Sequence, residues 1–295
     1  MSLFTGSGVA IVTPFNENLE VNYEKFEEII DYQIDNGTDS IVVCGTTGEA
    51  STLTDDEQLE CIRFAVEKVK GRVPVIAGTG SNDTSHGIYL AKEANKLGVD
   101  GLLVVTPYYN KTSQKGLIEH YTDIAKSVDS PIILYNVPSR TGLNIQPKTA
   151  YELSKIENIV AIKEATGDIS QVVELMHYCA GRLDLYSGND DIIVPLLSLG
   201  GKGVISVVAN IMPRETHDIV AKFMNGDIKG SADLQLTMLP IINAMFSDVN
   251  PIPVKEALNI IGFEVGACRK PLTSMDAQSR ENLVNTIKSY GLSNI

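Results

Sequence analysis

The sequence is short of positive charge and has no cluster of it. Its 295 residues include 24 Lys and Arg against 37 Asp and Glu, a net charge of −13. Nucleic acid is a polyanion, so an acidic chain without a basic patch is a poor partner for it. Small anionic substrates stay open, because a local pocket can be positive in an acidic protein. The four cysteines (Cys44, Cys61, Cys179, Cys268) are far apart and form no C-x-x-C pair, which argues against a disulfide framework. The four histidines (His86, His120, His177, His217) show no H-E-x-x-H or paired ligand spacing, so no metal is expected. No apolar run reaches membrane-spanning length, and the opening MSLFTGSGVAIVTPF has neither a positive n-region nor a signal-like cleavage site. The expectation is a cytoplasmic protein that binds neither nucleic acid nor membrane. There is no linker, low-complexity tract or 20–50-residue sequence repeat.

What is present is one recurring unit. A short apolar, β-rich run precedes a longer stretch of helical period, and this happens eight times: 7–15, 40–45, 73–79, 100–107, 130–138, 158–165, 183–188 and 203–209. Between the runs lie amphipathic stretches such as 22–37 and 54–71. In the second, Thr54 and Glu57 have the spacing of a capping box and Gly71 marks a stop. Alternating strands and helices imply parallel pairing with right-handed crossovers, and near-continuous Val/Ile runs imply strands covered on both faces. Eight units suggest a closed α/β barrel, the (β/α)8 TIM barrel, over residues 1–225. An open doubly wound sheet is the alternative, but G-x-G-x-x-G follows none of the strands. Past residue 225 the pattern turns helical (229–247, 253–262, 275–290), which predicts a C-terminal helical region, 226–295, packed on the barrel.

Barrels of this kind carry chemistry at the C-terminal ends of their strands. There the chain places GTTGEAS (45–51), TPYYNK (106–111), YNVPSRTG (135–142) and SGND (187–190), and the sixth run, IVAIKEATGD (159–168), carries Lys163. Strict alternation along that run puts Ile159, Ala161, Lys163 and Ala165 on one face, taken as the interior, and Val160 and Ile162 on the other. Desolvation of an amine there favours its neutral form, which attacks a ketone to give a Schiff base. The stretch alone is equally compatible with a strand-end lysine reaching water. Tyr135 shares the inner face of the neighbouring strand with Ile133, and its phenol can move protons beside an imine; taken alone, a core tyrosine bonded to backbone is the simpler reading. The turn GTTGEAS offers two hydroxyls and clustered N–H groups suited to an anion, or merely caps the next helix. Arg140 is a lone guanidinium on a neutral rim, suited to a carboxylate or to a surface ion pair. Tyr108 and Tyr109 are an exposed pair, a pocket wall or an interface anchor. GTGSND (78–83) reads as structural, with Asp83 as an N-cap.

Together and in order, GTTGE, YNVPSRTG and IKEATGD resemble the dihydrodipicolinate synthase family, within the pyruvate-dependent class I lyases that include N-acetylneuraminate lyase. The resemblance extends nearly the whole chain, to NPIPVKEAL (250–258). It implies that Lys163 forms an imine with pyruvate, and that Tyr135, Thr46 and Tyr109 form a proton relay. Tyr109 then comes from a neighbouring subunit, so a homodimer or homotetramer is implied. By the same resemblance Thr46 and Thr47 are expected to grip the pyruvate carboxylate, Arg140 to bind that of L-aspartate-4-semialdehyde, and Gly188 and Ile205 to supply backbone and wall. The product the resemblance implies is 4-hydroxy-tetrahydrodipicolinate, on the route to diaminopimelate and lysine, with neither PLP nor metal expected. Members inhibited by lysine carry a serine, a histidine and a glutamate where this chain has Ala50, Gln58 and His86, although Asn82 and Tyr108 match; weak or absent lysine inhibition is expected. The competing readings are a keto-acid lyase for a sugar acid, a binding protein that kept the pocket, and a phosphate-binding isomerase.

Overall fold

A computed structural model describes residues 2–292. Eight parallel strands close into a barrel in sequence order: β1 (Gly6–Ala10), β2 (Ser40–Val43), β3 (Val75–Gly78), β4 (Gly101–Val105), β5 (Ile132–Asn136), β6 (Ile159–Glu164), β7 (Asp184–Ser187) and β8 (Gly203–Ser206), with β8 pairing back onto β1. Each strand is shorter than its apolar run. In the first run the ladder ends at Ala10, while Ile11, Val12 and Phe15 stay buried in the loop beyond it.

The helices between the strands are α1 (Tyr23–Asp35), α2 (Asp55–Val69), α3 (Thr84–Lys96), α4 (Gln114–Lys126), the short α5 (Pro138–Thr141), α6 (Pro147–Leu153), α7 (Ile169–Cys179) and α8 (Ile193–Ser198). After β8 come α9 (Pro213–Met224), α10 (Ile228–Met245), α11 (Ile252–Ile261) and α12 (Ala277–Ser289). In α1 the buried residues are Phe26, Ile29, Ile30 and Gln33, a spacing of three and four that turns one stripe to the barrel. Seven of the helix starts are capped by side chains, while α5, α6, α8, α9 and α11 have no side-chain cap. Asn22 accepts from Lys25 N, Asp83 from Ser85 N and Asp168 from Gln171 N, and Thr54 with Glu57 forms the full capping box. At the other end of α2 the stop comes one residue before Gly71: Lys70 itself takes the left-handed conformation, φ 51°.

The core has two layers. Outside the barrel wall, strands meet helices. Inside it lie Ala10, Val42, Ile76, Leu103, Ile133, Ala161 and Ile205. Phe4 and Tyr186 stack below them at 4.4 Å, and the Tyr186 hydroxyl donates to Phe4 O at 2.6 Å.

The start of β6 corrects the alternation read from the sequence. Ile132 pairs with Ile159, but Ile133 pairs with Ala161, so Val160 is an extra residue in a bulge. Ile159 therefore belongs to the outer layer and Val160 packs against the inner one, the reverse of the strict alternation. From Ala161 onward the phase is as expected. All four cysteines are free. Among the described residues no helix is long and apolar enough to cross a membrane.

Candidate active site

Lys163 lies on β6 directly opposite Tyr135 of β5 and Tyr186 of β7. Residues opposite one another in parallel strands share a face, so all three point into the barrel. Lys163 is 5 % exposed, and its Nζ lies 4.3 Å from the centroid of the Tyr135 ring. It has no hydrogen bond or ion pair among the described residues. This disposes of the solvated strand-end lysine. The two phenols differ in what they are free to do. The Tyr186 hydroxyl is committed to Phe4 O in the floor, while that of Tyr135 makes no hydrogen bond among the described residues. A core tyrosine tied to backbone is thus what Tyr186 is, and what Tyr135 is not.

Small residues make room around the amine. Ala161 and Ala165 flank it on the inner face, and Gly188 follows β7 beside it. A Cβ on Gly188 would stand 3.2 Å from Lys163 Cε and 2.7 Å from Ala165 Cβ. Ile205 of β8 is fully buried in the same inner layer.

Above Tyr135 opens a cavity of about 410 Å³. Thr46, Tyr108, Tyr135 and Arg140 line it, and it continues outward past Gln58 and His86. Thr46 is exposed at the mouth and Thr47 is buried. Their turn runs between two left-handed residues, Cys44 and Glu49, both at φ 54°. Arg140 is exposed on α5, whose Pro138 sits at the first helical position. A polar ladder holds this segment in place: Thr106 donates to Thr141, and Asn136 Nδ2 reaches Asn144 Oδ1 at 2.8 Å and Glu164 Oε2 at 2.9 Å. Tyr109, at φ 68° and 92 % exposed, does not line the cavity of its own chain. Its loop is pinned nonetheless, by Asn82 Nδ2 to Tyr108 O (3.1 Å) and Asn110 Nδ2 to Asn82 O (2.9 Å).

Four buried groups escaped the sequence reading. Asp190, just past Gly188, accepts from Val207 N (3.1 Å) and Val208 N (3.0 Å) and so fixes the chain leaving β8. Burial raises its carboxyl pKa, opposed by those hydrogen bonds and by the charge of Lys163. Glu164, next to Lys163 but on the outer face, is likewise raised by burial and held by Thr166 N and Asn136. Glu49 and Lys255 form an ion pair at 2.8 Å, each side chain 1 % exposed. Lys255 had a visible signal: Ile252, Lys255, Leu258 and Ile261 recur every three residues on the buried face of α11.

A buried amine over a phenol, with hydroxyls and a guanidinium at the mouth of a barrel, suits covalent chemistry on a small keto acid. Comparisons with known proteins agree. Residues 3–290 match the model of the Dihydrodipicolinate synthetase family. The 4-hydroxy-tetrahydrodipicolinate synthase of Lachnoclostridium phytofermentans is 66 % identical, covering 99 % of this chain and 100 % of the relative; that of Caldicellulosiruptor bescii is 59 % identical over 99 % of each. The solved dihydrodipicolinate synthase of Aquifex aeolicus superposes with a TM-score of 0.96 at 43 % identity, over 99 % of both chains. The protein is a member of the dihydrodipicolinate synthetase family.

Proposed function

We propose that the protein condenses pyruvate with L-aspartate-4-semialdehyde to give 4-hydroxy-tetrahydrodipicolinate, through an imine on Lys163. The observation that carries this is the Lys163 amine, buried inside the barrel 4.3 Å from the Tyr135 ring. The amine adds to the C2 carbonyl of pyruvate, and the carbinolamine loses water to give an iminium. The iminium is the electron sink, so neither PLP nor metal is called for. Loss of a C3 proton gives the enamine, whose carbon attacks the aldehyde. The amino group of the adduct then attacks the imine carbon, closes the ring and releases Lys163.

Tyr135 hands protons to and from the carbinolamine, with Thr46 above it at the cavity wall. Thr46 and Thr47 hold the pyruvate carboxylate, Gly188 and Ile205 shape the space around the imine, and Arg140 at the mouth takes the carboxylate of the aldehyde substrate. Tyr109 acts from a second copy of the chain. Its exposure on a pinned loop supports that, and it makes the active species a homodimer or a homotetramer. We place the enzyme in the cytoplasm, in diaminopimelate and lysine biosynthesis.

The test is borohydride reduction with pyruvate, followed by intact mass and peptide mapping. A reduced adduct on Lys163, absent from Lys163→Ala, is expected; no adduct on Lys163 overturns the reading. Turnover with aspartate semialdehyde and none with N-acetylneuraminate separates the synthase from a sugar-acid lyase. Mixing Tyr109→Phe with Lys163→Ala protein should restore activity at the interface where one intact site is assembled.

A further inference from the structure

The turn that carries Thr46 and Thr47 is fastened twice from outside the barrel. Asn250, just ahead of α11, donates from Nδ2 to Thr47 Oγ1 at 3.0 Å, both side chains being buried. Two residues beyond Thr47, Glu49 receives Lys255 Nζ from α11 at 2.8 Å through Oε1 and Arg269 N at 2.8 Å through Oε2. Lys255 Nζ is saturated, donating also to Thr13 O (3.1 Å) and Ala267 O (2.9 Å). Three donors cover three acceptors, so the ion pair has no donor left over for a substrate and serves as a clamp.

We infer that Asn250 is a positioning residue of the pyruvate subsite, fixing the direction of the Thr47 hydroxyl, with Lys255 and Glu49 clamping the end of the same turn. A hydroxyl has one proton. Because Thr47 Oγ1 accepts from Asn250, its own proton is directed away from Asn250. In the reading of Thr47 given above, on which this inference rests, that proton is delivered to the pyruvate carboxylate. A hydroxyl free to rotate would divide its time among other acceptors. The helical region beyond the barrel therefore takes part in substrate binding without touching the substrate.

The experiment measures borohydride trapping against pyruvate concentration, without aldehyde, for wild type, Asn250→Ala, Thr47→Val and the double variant. One neutral hydrogen bond corresponds to roughly a 3- to 10-fold change in an equilibrium. In Asn250→Ala the pyruvate concentration for half-maximal trapping should rise by about that factor. The extent at saturation and the KM for aldehyde should not change. Thr47→Val should raise half-saturation at least as much, and the double variant no further, since both remove one contact. An unshifted Asn250→Ala beside a shifted Thr47→Val overturns this inference and leaves the role of Thr47 standing. If neither shifts, both fall. A general loss, with kcat, both KM values and melting temperature worsening together, also overturns it, because a structural defect would do that. Should Asn250→Ala fail to accumulate, Asn250→Asp serves: a carboxylate accepts the Thr47 proton instead of donating to its oxygen, so half-saturation must rise more than in Thr47→Val.

Discussion

Replacing Gly188 by alanine adds one carbon at the tightest point beside the reacting amine. The new Cβ would lie 2.7 Å from Ala165 Cβ, 3.1 Å from Glu164 O and 3.2 Å from Lys163 Cε. Carbon atoms pack comfortably at about 3.5–4.0 Å, so all three approaches are too close. The backbone cannot retreat freely, because Gly188 N donates to Glu164 O at 2.7 Å. Ala165 Cβ and Glu164 O are rigid, so the chain that carries them must give by about 1 Å to clear the 2.7 Å approach, and Lys163, next to Glu164 in sequence, moves with it. Overpacking of this size costs about 1–3 kcal/mol of stability. Displacing a reacting group by about 1 Å costs on the order of 100-fold in rate. Gly188→Ala should thus melt only a few degrees below wild type while its initial rate of borohydride trapping falls about 100-fold, and kcat with it. Stopped trapping reactions read by intact mass, alongside calorimetry at one scan rate, give both numbers. Trapping within about threefold of wild type would refute the packing argument. So would a variant that loses its fold and its activity together.

Arg140→Ala should leave pyruvate trapping unchanged and lower kcat/KM for aspartate semialdehyde by about 10- to 100-fold, the worth of a charge-assisted hydrogen bond; steady-state kinetics with each substrate varied decides it. Lys255→Met strands the buried Glu49 carboxylate and should cost about 3–5 kcal/mol; Glu49→Leu with Lys255→Met removes the unpaired charge but leaves Arg269 N, Thr13 O and Ala267 O without these partners, so it should recover only part of the loss, as denaturant unfolding would record. Hydrogen bonds from Arg269 pull the Glu57 carboxyl down to about 2. A depressed carboxyl contributes stability above its ordinary value of 4.5 and loses it as pH falls toward 2. The melting-temperature advantage of wild type over Glu57→Gln should accordingly shrink across that window. Lysine at submillimolar concentration should not inhibit. His86 is held between Asp55 Oδ1 (3.0 Å) and Ser81 Oγ (3.1 Å), and the Gln58 amide is spent on Gly78 O. Half-inhibition below 1 mM, on the order of a tight regulatory site, would contradict this.

Much of the barrel was legible because its determinants are local. Parallel strands covered on both faces read as apolar runs, and several helix starts carry their own cap, as Thr54 and Glu57 do. The inward placement of Lys163 was legible too, since its phase depends on two residues at either side. Ile159 and Val160 were misplaced because a bulge leaves no mark in an all-apolar stretch: nothing in the composition distinguishes an extra valine from a paired one. The clamp on the strand-two turn was hidden for another reason. Its contacts join Thr47 to Asn250 and Glu49 to Lys255, across separations of 203 and 206 residues, and no period or cap spans such a distance. Lys255 alone interrupted an apolar stripe, and that interruption marked a buried charge without naming its partner.

The separation of 206 residues between Glu49 and Lys255 also sets an order of events during synthesis. At roughly 5–20 residues per second, the ribosome takes about 10–40 s to deliver the lysine after the glutamate has emerged. Through that interval the second strand and its catalytic turn exist in the nascent chain, yet the carboxylate that belongs in the interior has no counter-charge and stays hydrated. Glu49 meets its counter-charge only once α11 arrives. The earliest part of the site to be translated is thus among the last to gain its contacts, and a chain released before residue 250 carries Lys163, Tyr135 and Thr46 without the element that fastens Thr47 and Glu49 beside them.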